Sequence, residues 1–492
     1  MNKHKKSISL LIALVLALSV FNIAPLTASA AEPEVAVTAL TCGDYEYHLF
    51  DQGIAEITGY TGSGGNITIP SALDGYPVIS IGYYAFSGCT SLNSVTIPSS
   101  VISIGKGAFS ACTSLKSAII PDSLTNIADT MFYGCTNLNS VTIPDSITSI
   151  DDCAFDYCES LMSITIPDSV TSIGNKAFNW CLNLTNVSIG NSVKSIGLSA
   201  FGVCKNLKRV ILPDSVTSIG ERAFHNCTSL MNVTISNSVT SIGNEAFSGC
   251  TELKSIDIPD SVTNIGKSAF AGCSNGLTSI KVAEDNTVYD SRNDCNAIIE
   301  TVTNTLVTGC KNTVIPDSVT DIDEYAFYWC ESLTEVIIPD SVMIIGNHAF
   351  KDCTGLTSIN IPKSVTSIGD MAFGYYFDLI LRDYSKIDDF IIYGYENSEA
   401  ERYANDNGFT FVSLASAGVH ILGDANGDGE ADAVDATIIQ RYATLIKVPY
   451  SKDQLMRADV DGDGDLSTVD ATFIQRFATM VKVPYAIGEP VE

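Results

Sequence analysis

Basic charge is what this chain has least of. Its 492 residues hold 27 Lys+Arg against 56 Asp+Glu, a formal charge of -29, although only 17% of residues are charged. The acidity thus comes from missing bases more than from dense acids. Such a surface repels phosphate and forgoes counterion release, which excludes nucleic acid as a partner. Histidine is scarce too. His4, His48, His225, His348 and His420 show no spacing for a metal pair or a catalytic triad. Glycosidase chemistry needs two carboxylates positioned at a cleft, and no segment is left over to house one, so catalysis is not expected. Long apolar runs are nearly absent. Ile8 to Phe21 is the one candidate, about fourteen residues where roughly twenty are needed to span a bilayer. Lys3, Lys5 and Lys6 precede it and Ala28-Ser29-Ala30 follows, so residues 1-30 read as a secretory signal peptide. Its removal takes the charge to -32. The expectation is an extracellular, secreted chain without stable membrane insertion. The 46% hydrophobic content is ample for folding.

What is present is a period. Phe recurs at 86, 109, 132, 155, 178, 201, 224, 247 and 270, every 23 residues, then at 327, 350 and 373. Cys follows three residues behind, from Cys89 to Cys273 and again at Cys330 and Cys353. One unit, from Ser160 to Cys181, predicts one coil. Leu161, Ile164 and Ile166 turn inward from a short strand, and Pro167 ends it, lacking a ladder donor. Val170 and Ile173 return to the core, Gly174 permits the turn, and Ala177-Phe178 pack a short helical or irregular return. A lone coil cannot bury its apolar edge, whereas stacked coils share one core.

The recurring Ile-Pro-x-x-Val-x-x-Ile-Gly-x-x-Ala-Phe core resembles bacterial leucine-rich repeats of the BspA-like type over about residues 43-413. The resemblance implies a leucine-rich repeat solenoid of 23-residue repeats, with short parallel strands and irregular or short helical returns. It also implies adhesion or protein recognition. The 57 residues between Phe270 and Phe327 mark an irregular long unit at 274-310.

Eleven of the fifteen cysteines sit on the beat, where side chains point inward in parallel; buried thiols are expected there, not bridges. Cys42, Cys153, Cys295 and Cys310 lie off it, and Cys295 with Cys310 is the best candidate disulfide. Two strand columns should face solvent. One reads Ser94, Ser117, Ser140, Ser163, Asn186, Arg209, Asn232, Ser255, and the other Thr96, Ile119, Thr142, Thr165, Ser188, Ile211, Thr234, Asp257. They lack the stacked rings of a carbohydrate platform. Aromatics gather instead at Tyr133, Tyr157, Trp180, Tyr328 and Trp329, either covering a turn or forming a second recognition edge. Asp151, Asp152 and Asp156 read as solvent-facing turn residues.

After a short linker at 414-418 the grammar changes. Asp424, Asn426, Asp428, Asp432 and Asp435 occupy positions 1, 3, 5, 9 and 12 of a loop with Gly429 at 6. Asp459, Asp461, Asp463, Ser467 and Asp470 repeat the layout 35 residues later. Converging hard oxygens, with the position-7 carbonyls of Glu430 and Asp465, suit one calcium ion per loop, two in all. An apolar-periodic helix follows each loop, Ala436 to Thr444 and Ala471 to Thr479, while the four residues His420 to Gly423 are too short to make one before the first.

These half-hands resemble a type I dockerin over about residues 419-488, which implies a small all-α calcium-binding module. By that resemblance the partner is a cohesin domain of a scaffoldin, in a cellulosome-type assembly. The family's partner-reading positions map here to Ala433, Val434, Gln440, Arg441 and Leu445 in the first copy. In the second they are Thr468, Val469, Gln475, Arg476 and Met480. The expected protein is a secreted non-catalytic subunit, with a repeat surface for an unidentified protein or glycan ligand and an association with polysaccharide breakdown. The alternatives are a dockerin-bearing hydrolase with an unrecognised site and a free cell-surface adhesin.

Overall fold

The computed structural model describes residues 39–274, 276–378, 380–414, 420–421, 423, 425–426, 431, 433–443, 455, 458–460, 465–478 and 490–491. The expected signal peptide and most of the linker lie outside them. The chain divides into two compact units, one running to Cys250 with Asn264–Ala269, the other Thr251–Thr263 with Phe270–Glu492.

The first unit opens with an antiparallel meander, Ala39–Cys42, Tyr45–Phe50 and Ile54–Tyr60, whose last strand pairs in parallel with Tyr76–Ile81. Each coil then carries two parallel strands. In the coil of Phe178 these are Ser163–Thr165 and Ser172–Ile173. Ladders join equivalent positions, Ser163 with Asn186 and Ile150 with Ile173. The second strand was not anticipated, being too short to show a period of its own.

The Leu, Ala and Phe columns are buried, as are the Cys column after Cys89 and most of the Val/Ile columns. Consecutive phenyl rings stack along the core, Phe155 on Phe178 at 5.2 Å and Phe178 on Phe201 at 5.2 Å, with planes 5° and 6° apart. Each such pair adds about 1 kcal/mol beyond its area burial. Tyr60 closes the near end of the stack, 5.2 Å from Phe86. The Cys112 thiol donates to the Phe86 carbonyl at 3.0 Å, and Cys135, Cys158, Cys181, Cys204, Cys227 and Cys250 repeat that contact.

The return is not helical, and in the coil of Phe178 it is not turned by glycine. Gly174 has no left-handed backbone; a Cβ there would sit 2.6 Å from the Asp151 carbonyl carbon of the preceding coil. Glycine is required by close approach between coils. From Phe86 to Phe350 the left-handed residues fall two before and two after each Phe of the period, as at Lys176 (φ 54) and Trp180 (φ 57). Their N–H groups bond to the next coil, Lys176 to Leu198 O and Trp180 to Gly202 O, which holds a conformation these side chains would otherwise avoid.

In the second unit the first ladder pairs Ser255–Ile258 with Ser279–Val282. The irregular stretch supplies an antiparallel meander, Tyr289–Asp290, Ile298–Glu300 and Thr305–Thr308, and its last strand resumes the parallel ladder with Asp321–Ile322. Buried Asn286 staples the excursion, donating to Pro259 O and Val262 O and accepting from Val288 N and Tyr289 N. Cys295 and Cys310 are buried free thiols facing different carbonyls, Ala297 and Asn296, and not a disulfide. A hairpin, Tyr375–Asp378 with Asp383–Lys386, follows Phe373. Helix α1 (Glu399–Asn407) then packs Tyr403 edge-on against Phe373 at 6.2 Å.

Further on, the described residues include helices α2 (Ala433–Ala443) and α3 (Thr468–Ala478), which share a core of Ala436, Ile439, Leu455, Ala471 and Ile474. Each begins three residues earlier than apolar periodicity suggests. This segment is not wholly α: His420–Ile421 pairs antiparallel with Pro490–Val491.

Candidate functional site

The two acidic loops end in the same feature. Asp435 and Asp470, the twelfth residues, stand in the first turns of α2 and α3 and are fully buried. Asp435 Oδ1 accepts the N–H of Asn426 at 3.0 Å, and Asp470 Oδ1 accepts that of Val460 at 2.8 Å. Asp470 Oδ2 takes the N–H and hydroxyl of Ser467 at 2.9 and 3.1 Å. Each carboxylate thus ties the start of its loop to the following helix. Burying an acid is costly unless it is hydrogen-bonded or paired, and by residue type the Asp, Asn and Ser side chains of these loops are hard oxygen ligands, which fits calcium.

Of the other expected ligands, Asp459 and Ser467 are half-buried and Asp465 is exposed. Asp424, Asp428, Glu430, Asp432, Asp461 and Asp463 lie outside the described residues, and among the described ones no three acidic, histidine or cysteine side chains converge. Val434, Gln440 and Arg441 are exposed on α2, as are Thr468, Val469 and Gln475 on α3. The backbones of Ala433 and Arg476 belong to these helices, while Leu445 and Met480 lie outside the described residues. Spacings of one, six and seven residues confine each exposed set to an arc of about 120° on its helix.

On the repeats, both polar columns are half-buried or exposed, with Ile119 61% and Ile211 51% accessible among them. The aromatic row is ordered: Trp180 stacks on Tyr157 at 5.5 Å and 12°, and Tyr133 meets Tyr157 edge-on at 5.7 Å. Asp156 is not solvent-facing. It is 4% exposed and accepts from Asn179 Nδ2 at 2.9 Å, and burial pushes its carboxyl up to about 6. A turn in sequence became an interior position because the neighbouring coil covers it. In the second unit, buried Lys351 lies 3.2 Å from Asp352 and 3.9 Å from the centre of the Tyr384 ring, pinning the hairpin to its coil.

The model of the BspA type leucine rich repeat region matches residues 60–185, 171–296 and 304–387. That of the dockerin type I domain matches 422–477. Among solved structures, a leucine-rich repeat protein from Bacteroides ovatus is 30% identical, covering 78% of this chain and 100% of its own, with a TM-score of 0.55. A leucine rich cell surface protein from Faecalibacterium prausnitzii is 29% identical over 78% of this chain and 96% of its own, with a TM-score of 0.45. No curated protein matches. The chain belongs to the BspA type leucine-rich repeat family and carries a C-terminal type I dockerin domain. Both are recognition and adaptor modules, not catalysts; dockerins of this type generally bind calcium, and the domain implies a cohesin-bearing partner.

Proposed function

We propose that this is an exported, non-catalytic subunit which docks through two calcium-loaded loops onto a cohesin of a scaffoldin and presents its repeats as a recognition surface. The observation that carries the reading is the matched pair of buried carboxylates, Asp435 and Asp470, each closing an oxygen-rich loop onto a helix with exposed partner-facing residues. Calcium would be held by those two, with Asp424, Asn426, Asp428, Glu430 and Asp432 in one loop and Asp459, Asp461, Asp463, Asp465 and Ser467 in the other. Bound calcium supplies the positive charge that lets these carboxylates pack together, coupling the ion to folding. The signal-like first thirty residues and the cell-surface relative support placement outside the cell. A scaffold of this kind associates the chain with polysaccharide breakdown. Capture of the full chain by a panel of cohesins, with and without chelator, tests the reading. Calcium-dependent capture is expected, and capture that survives the chelator would sink it.

A further inference from the structure

Charge is segregated around the coils of the first unit. Residues 39–250 hold sixteen acids, yet the seven segments that lead into and include the first strand of each coil, 90–96, 113–119, 136–142, 159–165, 182–188, 205–211 and 228–234, contain only one, Glu159. The same segments hold four of the eight bases, Lys116, Lys205, Lys208 and Arg209. Acids sit instead at the Pro-Asp corners and on the returns. The coil of Arg209 keeps its own corner acid, Asp214, while the coils on either side lose theirs, with Asn191 and Asn237 at the equivalent positions.

Lys205, Lys208 and Arg209 are exposed and make no ion pair among the described residues. Arg209 opens the strand Arg209–Ile211, in register with Asn232, and Leu207 and Val210 beside it are fully buried, so a rigid ladder carries Arg209, with Lys208 and Lys205 in the segment that leads into it. The coils on either side offer amides and hydroxyls, Asn183, Thr185, Asn186 and Ser188, then Asn232 and Thr234. Asn206 donates to Asn183 Oδ1 at 3.2 Å. Lys116 stands four coils away, about 19 Å at the spacing of paired strands.

We propose that this strand face binds a carboxylate-bearing polysaccharide, a linear polyuronate, a proposal that rests on the recognition role given above to the repeats. A neutral sugar chain needs flat aromatic faces, which this surface lacks. An acidic one presents a carboxylate at intervals, and a guanidinium pairs with carboxylate through two charge-assisted hydrogen bonds. The amides and hydroxyls match sugar hydroxyls. A protein partner would be expected to find aromatic anchors here, and there are none. Because the rest of the chain is acidic, a polyanion is repelled elsewhere and registers on this face alone.

The test uses the full chain at low salt, with chelator present so that calcium cannot bridge the polymer to the acidic loops. Polygalacturonate, a neutral β-glucan and polyglutamate are compared by calorimetry. Polygalacturonate alone should bind, less so as salt rises. The triple variant K205Q/K208Q/R209Q should bind about tenfold or more weakly. The variant K106Q/K176Q/K194Q, with the same change in charge on the corners and returns, should bind as the parent does. Unchanged binding in the first variant, no binding by the parent, or equal binding of polyglutamate or of the neutral glucan would each overturn the proposal. Glucan binding without polygalacturonate binding would leave the recognition role standing, whereas failure of cohesin capture would strike the docking role and not this face.

Discussion

The side-chain amide of Asn179 donates to Asp156 Oδ1 across 2.9 Å, from one coil to the one before, with both residues buried. Burial outweighs the Asn179 bond and the nearby Lys176 charge and lifts the Asp156 carboxyl to about 6. An acid whose folded value is raised binds its proton more tightly when folded, so stability is lost as pH climbs from about 4 to 6. Asp156→Asn, which can still accept from Asn179, should flatten that dependence and add about 1 kcal/mol at pH 7, allowing for solvent screening at this edge. Urea titrations of both proteins between pH 4.5 and 7 read this directly; parallel curves would refute it.

Gly220→Ala should destabilise the first unit by about 1–3 kcal/mol. A Cβ there would stand 2.6 Å from the Ile196 carbonyl oxygen and 2.8 Å from the Gly197 carbonyl carbon. The loss appears as a lower denaturation midpoint. Gly88→Ala provides the contrast, because nothing lies within 4 Å of its Cβ and only its left-handed backbone (φ 71) resists the change.

All fifteen cysteines are free thiols, and only Cys42, Cys89 and Cys153 are not fully buried. Burial pushes thiols such as Cys204 and Cys353 well above their ordinary range, which suppresses the reactive thiolate. Titration of the native chain with a thiol reagent should label at most those three quickly. The other twelve should react only in denaturant. Fast labelling of all fifteen without denaturant, or a lower total in denaturant than fifteen, would contradict the thiol ladder.

Asp470→Ala should remove calcium from the second loop and leave Ser467 N, Ser467 Oγ and Val460 N without their shared acceptor. Calcium stoichiometry by calorimetry should fall from two to about one. The Asp435→Ala and Asp470→Ala double variant should lose the ion-dependent part of its helical signal. Retention of two sites in the single variant would show that position 12 is not a ligand.

The period was legible because every coil must bury the same columns: one missing Phe would open the stack, so Phe86 through Phe373 announce themselves. The calcium loops were legible for a similar reason, since an ion demands oxygens at fixed steps. Glycine misled. Gly174 resembles a turn residue, and only the stacked neighbour shows that it is there to let two backbones meet, while Lys176 and Trp180 take the left-handed conformation. Cys295 and Cys310 flank a hairpin as a disulfide would, yet fold onto separate carbonyls.

Composition and spacing by themselves determined a 23-residue repeat with a shared apolar core and a paired oxygen-rich loop, because both depend on residue type at fixed intervals along the chain. Tertiary structure alone decided which polar groups are covered and which are displayed. Stacking buries Asp156 and Asn179 under an adjacent coil, and it lines up Lys116, Lys205, Lys208 and Arg209 on a strand face nearly free of acid. A net charge of -29 describes the chain as a sum. In the first unit the winding of the coils sorts part of that sum into acidic corners and returns and a strand side that holds four bases and one acid.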